Sequence, residues 1–181
     1  MLKKNLLPYA AVALVFAIVG AYVATEKKGG APWRTVPALT GPVQALYAQA
    51  LPDASGAAQA LSQWKGKALV VNFWAPWCGP CVEEMPELSF LQNDSAGKMQ
   101  IIGIGIDTQA HIAQFAKKFK LSYPIYVAGM SGTALSRQFG NVAGGLPYTV
   151  LIGADGQVKK TYLGRLKFAQ LRADLADLGV L

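Results

Sequence analysis

The chain holds two cysteines in its 181 residues, Cys78 and Cys81, three positions apart in Phe73-Trp74-Ala75-Pro76-Trp77-Cys78-Gly79-Pro80-Cys81. Two thiols at that spacing close a small ring, so the pair can pass between dithiol and disulfide. The apolar run Ala68 to Trp74 before them reads as a buried strand, and Val82-Glu83-Glu84-Met85 after them reads as a helix opening. A cysteine at a helix N-terminus lies at the positive end of the peptide dipoles, beside amides that have no acceptor within the helix, and its thiolate is favoured. Cys78 is therefore the expected nucleophile. Cys81, one turn further in where the helix packs on its sheet, is the less exposed thiol expected to resolve a mixed disulfide. Zinc would need about four Cys or His ligands, and only His111 is left to join the pair. A purely structural disulfide across so short a loop would restrict the unfolded chain little.

Trp77-Cys78-Gly79-Pro80-Cys81 after an apolar strand resembles the thioredoxin superfamily. Two further stretches, Ser62-Gln63-Trp64-Lys65-Gly66-Lys67 and the Cys-x-x-Cys-x-x-Glu-x-Pro pattern ending at Pro86, are similar to the TlpA and ResA group of envelope thioredoxins. The resemblance implies an α/β thioredoxin fold: a mixed central sheet flanked by helices, with an N-terminal hairpin and a central strand-helix insertion. Pro147 stands 66 residues beyond Cys81, and the extra strand and helix at roughly residues 99 to 127 match that insertion. By the same resemblance Pro147 is a cis-proline facing the dithiol, with the carbonyl and amide of Leu146 open to a substrate strand. The plainer alternative is a trans proline that opens a strand.

Thioredoxin carries a buried Asp in the strand before the motif, serving the inner cysteine; the aligned residue here is Asn72, which cannot titrate. Glu84 lies three residues after Cys81 on the same side of the helix. Desolvated and with a raised pKa, it is expected to take the proton of Cys81 when the mixed disulfide resolves. The other reading of Glu84 is a first-turn carboxylate that stabilises the helix end. Trp77 is expected to offer apolar surface around Cys78 to protein substrates, and Trp74 either to do the same or to pack in the core. His111, at a helix start, lacks the partners of a catalytic dyad and reads as a surface residue.

The elements that must position these groups follow in order. Residues 1–5 are expected to be a basic cytoplasmic stub, and Leu6 to Thr25 carry no charge over about twenty residues, the length of a bilayer span. This is expected to be an uncleaved transmembrane anchor; a signal peptide cut near Val19-Gly20-Ala21 is the alternative. Residues 26–40 are a linker, and 41–181 are one thioredoxin-like domain. Val43 to Leu51 and Ala57 to Leu61 read as a hairpin about Pro52-Asp53-Ala54-Ser55-Gly56. A helix is expected from Cys78 to about Asn93, kinked at Pro86, with Met85, Leu88 and Leu91 on its core face. Then come a buried strand from Met99 to Ile106, a helix over 109–120 capped by Asp107-Thr108, and a strand over 123–127. A short helix over 133–139 precedes strands over 148–152 and 157–163, and a helix over about 167–178 closes the chain.

These parts imply an envelope thiol-disulfide oxidoreductase, a reductase of protein disulfides that needs no bound cofactor and no metal. Its catalytic domain would face the periplasm from the bacterial inner membrane, since a dithiol domain with no stray cysteine suits an oxidising compartment. A reductase there must be recharged, so a membrane electron donor is an implied partner; family resemblance extends the clients to apocytochrome c and to proteins of copper-site assembly. The direction of electron flow is open, because Gly79-Pro80 matches a reductant at about −270 mV while oxidants of the superfamily lie near −120 mV. A disulfide oxidase or isomerase is the alternative, and a Cu(I) metallochaperone using Cys78 and Cys81 as soft ligands is the alternative of another class. The net charge is +7 for the whole chain, with 13 basic and 9 acidic side chains from residue 29 onward. That mild excess, without aromatic residues interleaved among the basic ones, argues against nucleic acid as a partner.

Overall fold

A computed structural model describes residues 41–181 of the chain. Pro42 fixes φ in the first turn of a short helix, α1 (Pro42–Tyr47), and Val43, Leu46 and Tyr47, three and four apart, form its buried face. This overturns the strand expected over 43–51: helical spacing after an N-terminal proline outweighs the partial alternation. The predicted hairpin survives in shorter form, as β1 (Ala50–Pro52) paired antiparallel with β2 (Ala58–Ala60). Its turn is tied by the Asp53 carboxylate, which accepts from the amides of Ser55 and Ala57 at 2.8 and 3.1 Å.

After a 3₁₀ turn at Leu61–Trp64 come β3 (Ala68–Trp74), α2 (Gly79–Asp94), β4 (Met99–Gly105), α3 (Gln109–Lys118) and β5 (Ile125–Val127). Helix α4 (Met130–Gln138), strands β6 (Tyr148–Ile152) and β7 (Val158–Leu163) and helix α5 (Phe168–Asp177) complete the chain. The main sheet has the order β5-β4-β3-β6-β7. Strands β3, β4 and β5 run parallel, joined through α2 and α3, whereas β6 and β7 add antiparallel. This is the mixed, helix-flanked sheet that the resemblance implies.

Boundaries move where backbone geometry decides. Helix α3 stops at Lys118 because Phe119 is extended, and α4 begins at Met130 because Gly129, at φ +53°, turns the chain directly into it. Helix α2 runs without interruption through Pro86, which withholds one backbone donor.

Strand β3 is buried at all seven positions, and its period of two divides the core. Val70 and Trp74 face Met85, Leu88 and Leu91 of α2 and Leu171 and Leu175 of α5. Leu69, Val71 and Phe73 face the other way, toward Leu46 of α1 and Leu135 and Phe139 of α4. Each fully buried aliphatic side chain of this kind contributes roughly 1.5–3 kcal/mol. Asn72, between Val70 and Trp74, therefore points into the α2 layer, as does Thr149, its direct cross-strand partner in β6. The segments predicted as stub, anchor and linker lie outside the described residues. Among the described residues no helix is long and apolar enough to cross a membrane.

Candidate active site

Cys78 is the N-cap of α2, and its Sγ accepts from the amide of Cys81 at 3.3 Å. That amide is one of the donors a helix start leaves without an intrahelical acceptor, so the same contact can serve a thiolate. Cys78 and Cys81 are joined as a disulfide. Cys78 keeps 7% of its surface exposed and Cys81 none, the order of access expected for an attacking and a resolving thiol.

Glu84, one turn beyond Cys81, is 1% exposed. Its Oε1 accepts from Asn72 Nδ2 at 2.8 Å and its Oε2 from the Leu166 amide at 3.0 Å. Burial pushes this carboxyl above its ordinary value, against the pull of the Leu166 amide, the Asn72 amide and the Arg165 charge. An exposed first-turn carboxylate would have none of this. Asn72 also donates from Nδ2 to Thr149 Oγ1 at 3.0 Å. Tyr123, just before β5, is buried with its hydroxyl unpaired among the described residues; burial first, and then the Glu84 charge, push its pKa up.

Trp77 is 68% exposed beside Cys78. Trp74 is fully buried, its ring 4.7 Å from that of Phe115, so of its two readings the structure takes core packing. A groove of about 570 Å³ lies on one side of Trp77, floored by Val82, Phe115 and Phe119 and edged by Asp107, His111 and Lys118. A second, of about 480 Å³, is lined by Trp77, Ile106, Met130, Thr133 and Leu146. The Leu146–Pro147 peptide bond is cis. It lies just before β6, whose Tyr148 pairs with Phe73 of β3, so the ladder brings it to the end of β3 from which the chain runs to Cys78.

One reading of the sequence needs correction. His111 is exposed, but it has a carboxylate partner: its Nδ1 lies 2.7 Å from Asp107 Oδ1, one turn back across the start of α3. The pair edges the groove beside Trp77. The i, i+4 spacing was visible in the chain; the strand end that turns Asp107 toward the helix was not. Sequence reasoning also missed the Leu166 amide and Thr149 as members of the Glu84 site. Among the described residues no group of three or more His, Cys, Asp or Glu is placed to hold a metal ion.

A redox disulfide capping the helix that follows the central strand of a mixed five-stranded sheet, with a cis-proline opening the neighbouring strand, defines the class as thioredoxin-like thiol-disulfide oxidoreductases. Residues 33–175 match the Redoxin family, and the chain belongs to that family. The chain is 32% identical over 128 residues to the thiol-disulfide oxidoreductase ResA of Bacillus cereus, covering 70% of this chain and 72% of the relative. It is 29% identical over 131 residues to ResA of Geobacillus thermodenitrificans, covering 71% and 72%. In fold it is similar to MTB DsbF, with TM-score 0.63, 23% identity and coverage of 77% of this chain and 99% of that one. It is also similar in fold to a secreted Mycobacterium tuberculosis disulfide oxidoreductase, with TM-score 0.59, 22% identity and coverage of 71% and 95%. The chain is a thiol-disulfide oxidoreductase acting through a Cys-x-x-Cys disulfide.

Proposed function

We propose that the chain is a membrane-anchored reductase of protein disulfides in the bacterial envelope, with Cys78 as nucleophile, Cys81 as resolving thiol and Glu84 as the base that serves Cys81. The observation that carries this reading is the burial of Glu84 one turn from Cys81 with both carboxylate oxygens held by donors. In the reduced form the Cys78 thiolate attacks a client disulfide. One client sulfur leaves as thiolate, and the other stays joined to Cys78. Cys81 then passes its proton to Glu84 and attacks Cys78 Sγ, and the second client sulfur departs. The client gains two electrons, and Cys78–Cys81 is left oxidised.

Substrate seating rests on three residues. Trp77 gives apolar contact, and Pro147 holds Leu146 at the second groove. Among the described residues neither the amide nor the carbonyl of Leu146 has a hydrogen-bond partner, which supports pairing with an extended client segment. Residues 6–25 anchor the chain in the inner membrane and residues 41–181 work in the periplasm, where a membrane dithiol donor restores the two electrons. Apocytochrome c before haem attachment, or proteins of copper-site assembly, are the client classes. The test is the midpoint potential of the full chain in detergent, equilibrated against glutathione or dithiothreitol buffers. A value below about −220 mV is expected of a reductant; one above about −150 mV would make the protein an oxidase or isomerase instead.

A further inference from the structure

Asn72 is the centre of the buried polar group beneath the disulfide. It uses both hydrogens of Nδ2, one to Glu84 Oε1 at 2.8 Å and one to Thr149 Oγ1 at 3.0 Å. Its own Oδ1 is buried and has no partner among the described residues. A buried amide with its donors spent and its acceptor unmet is half satisfied, and such an atom calls for an explanation.

This arrangement suits the Glu84 carboxylate and fails the carboxylic acid. A carboxylate only accepts, and it finds one donor for each oxygen in Asn72 and the Leu166 amide. When a proton arrives, Oε2 cannot carry it toward Leu166, because a backbone N–H only donates. Oε1 can, provided that its partner reverses. Half a turn about the last side-chain bond of Asn72 exchanges Nδ2 and Oδ1 with almost no change of shape, and that torsion is broadly two-fold. Oδ1 then has two lone pairs where Nδ2 had two hydrogens. It accepts from the new O–H of Glu84 and from the hydroxyl of Thr149, which turns from acceptor to donor.

We propose that Asn72 is a rotating amide that follows the proton on Glu84, presenting Nδ2 to the carboxylate and Oδ1 to the acid. The inference rests on the reading of Glu84 as the proton store of Cys81. The proton leaves Cys81 Sγ for Glu84 Oε1, the amide turns, and the proton's return on the next reduction turns it back; no electron passes through Asn72. The groups around Glu84 are Asn72 from the sheet and the Leu166 amide after β7, which bond it, Arg165 after β7 and Tyr123 ahead of β5, which share its field, and Thr149, which bonds Asn72; Cys81 lies one turn back on the same helix. Arg165 is engaged with Glu83 at 3.0 Å on the surface. Of the side chains bonded directly to Glu84, Asn72 is the one that can offer either a donor or an acceptor without itself gaining or losing a proton. It is a positioning residue, holding Glu84 in either state.

The test is spectroscopic. The full chain, isotopically labelled, reduced and kept in detergent micelles, is titrated with pH while the Glu84 Cδ resonance and the Asn72 side-chain amide protons are followed by NMR. Below the Glu84 midpoint the contacts between the Asn72 amide protons and the Thr149 methyl group are expected to be lost, with the same midpoint. Glu84→Gln should abolish them at every pH, because its Nε2 must donate to Oδ1 while its oxygen keeps the Leu166 amide. If Glu84 titrates while those contacts persist, or if Glu84→Gln retains them, Asn72 is a fixed donor and the proposal is overturned. If Glu84 stays in one state throughout, the proton-store reading fails and takes the rotating amide with it.

Discussion

Replacing Glu84 with Gln removes a base while leaving the shape of its site. The amide oxygen can keep the bond from Leu166 N, now 3.0 Å from Oε2, and the amide nitrogen can occupy the place of Oε1 once Asn72 turns. The fold should therefore survive, and at neutral pH the variant carries no buried charge to desolvate. The loss falls on one half-reaction. General base catalysis contributes about 10²–10⁴-fold, which is roughly 3 to 5 kcal/mol of barrier, and here it applies to the attack of Cys81 on the mixed disulfide. The first step should change little, since the Cys78 thiolate draws on the helix start and the Cys81 amide rather than on Glu84. Single-turnover mixing of the reduced protein with a disulfide-linked peptide, quenched in acid and read by mass spectrometry, separates the two steps. Accumulation of the mixed disulfide in Glu84→Gln is the expected outcome. In the wild-type protein the resolving rate should also fall as pH drops through the raised pKa of Glu84, and that limb should be missing in the variant. Equal slowing of both steps, or an unchanged pH profile, would refute the assignment.

Cys81→Ser should trap clients as stable mixed disulfides on Cys78, whereas Cys78→Ser should trap almost none, because Cys81 is fully buried; non-reducing electrophoresis after acid quench distinguishes them. Trp77→Ala should lower kcat/KM for a protein client by about five- to thirtyfold, from roughly 1–2 kcal/mol of ring burial, and leave exchange with oxidised glutathione nearly unchanged. Stability should fall with rising pH above the ordinary carboxylate range. A carboxyl whose folded pKa is raised binds its proton more tightly in the native state, so its contribution is complete below the unfolded value and is lost as pH rises through the folded one. Urea midpoints of the oxidised protein at successive pH values should show this slope, and Glu84→Gln should flatten it. Asp53, Asp155 and Asp174, held below their ordinary values by hydrogen bonds and by lysines, act in the opposite sense and at lower pH.

What can be read from the chain is whatever depends on near neighbours. The dithiol, its helix cap, the all-apolar strands and the bounds of β6 follow from spacing and periodicity over a few residues, and β6 falls at 148–152 as expected. The cis bond before Pro147 follows from resemblance and is present. Helix α1 escapes such a reading because a six-residue helix offers less than two turns of pattern, and its Pro42 signal looks like linker. The Glu84 site is half visible. The glutamate and the untitratable Asn72 can be picked out, but what makes them one site is the register that sets Asn72 opposite Thr149. It also needs a backbone amide 82 residues further along the chain, and any residue type but proline could supply that at Leu166.

The exchange of Asp for Asn in the strand and the placing of the acid on the helix then have a joint consequence. Two buried carboxylates in one site would titrate as a pair, each raising the other and blurring which proton belongs to the resolving thiol. With Asn72 as partner, Glu84 titrates as one carboxyl whose pKa is set by burial against a short set of donors. It also sits on the same rigid helix as Cys81, so their separation does not depend on how the helix rides over the sheet. In the proposed cycle each resolution step releases one proton at the inner sulfur, and Glu84 is the one carboxyl assigned to it. A partner that donates to the anion and, once turned, accepts from the acid gives each state a matched hydrogen bond, while the other end of the amide stays unmet in both. Burial raises the pKa of this carboxyl while its donors pull it back, and a base that must both take and return its proton in each cycle needs such opposing pulls.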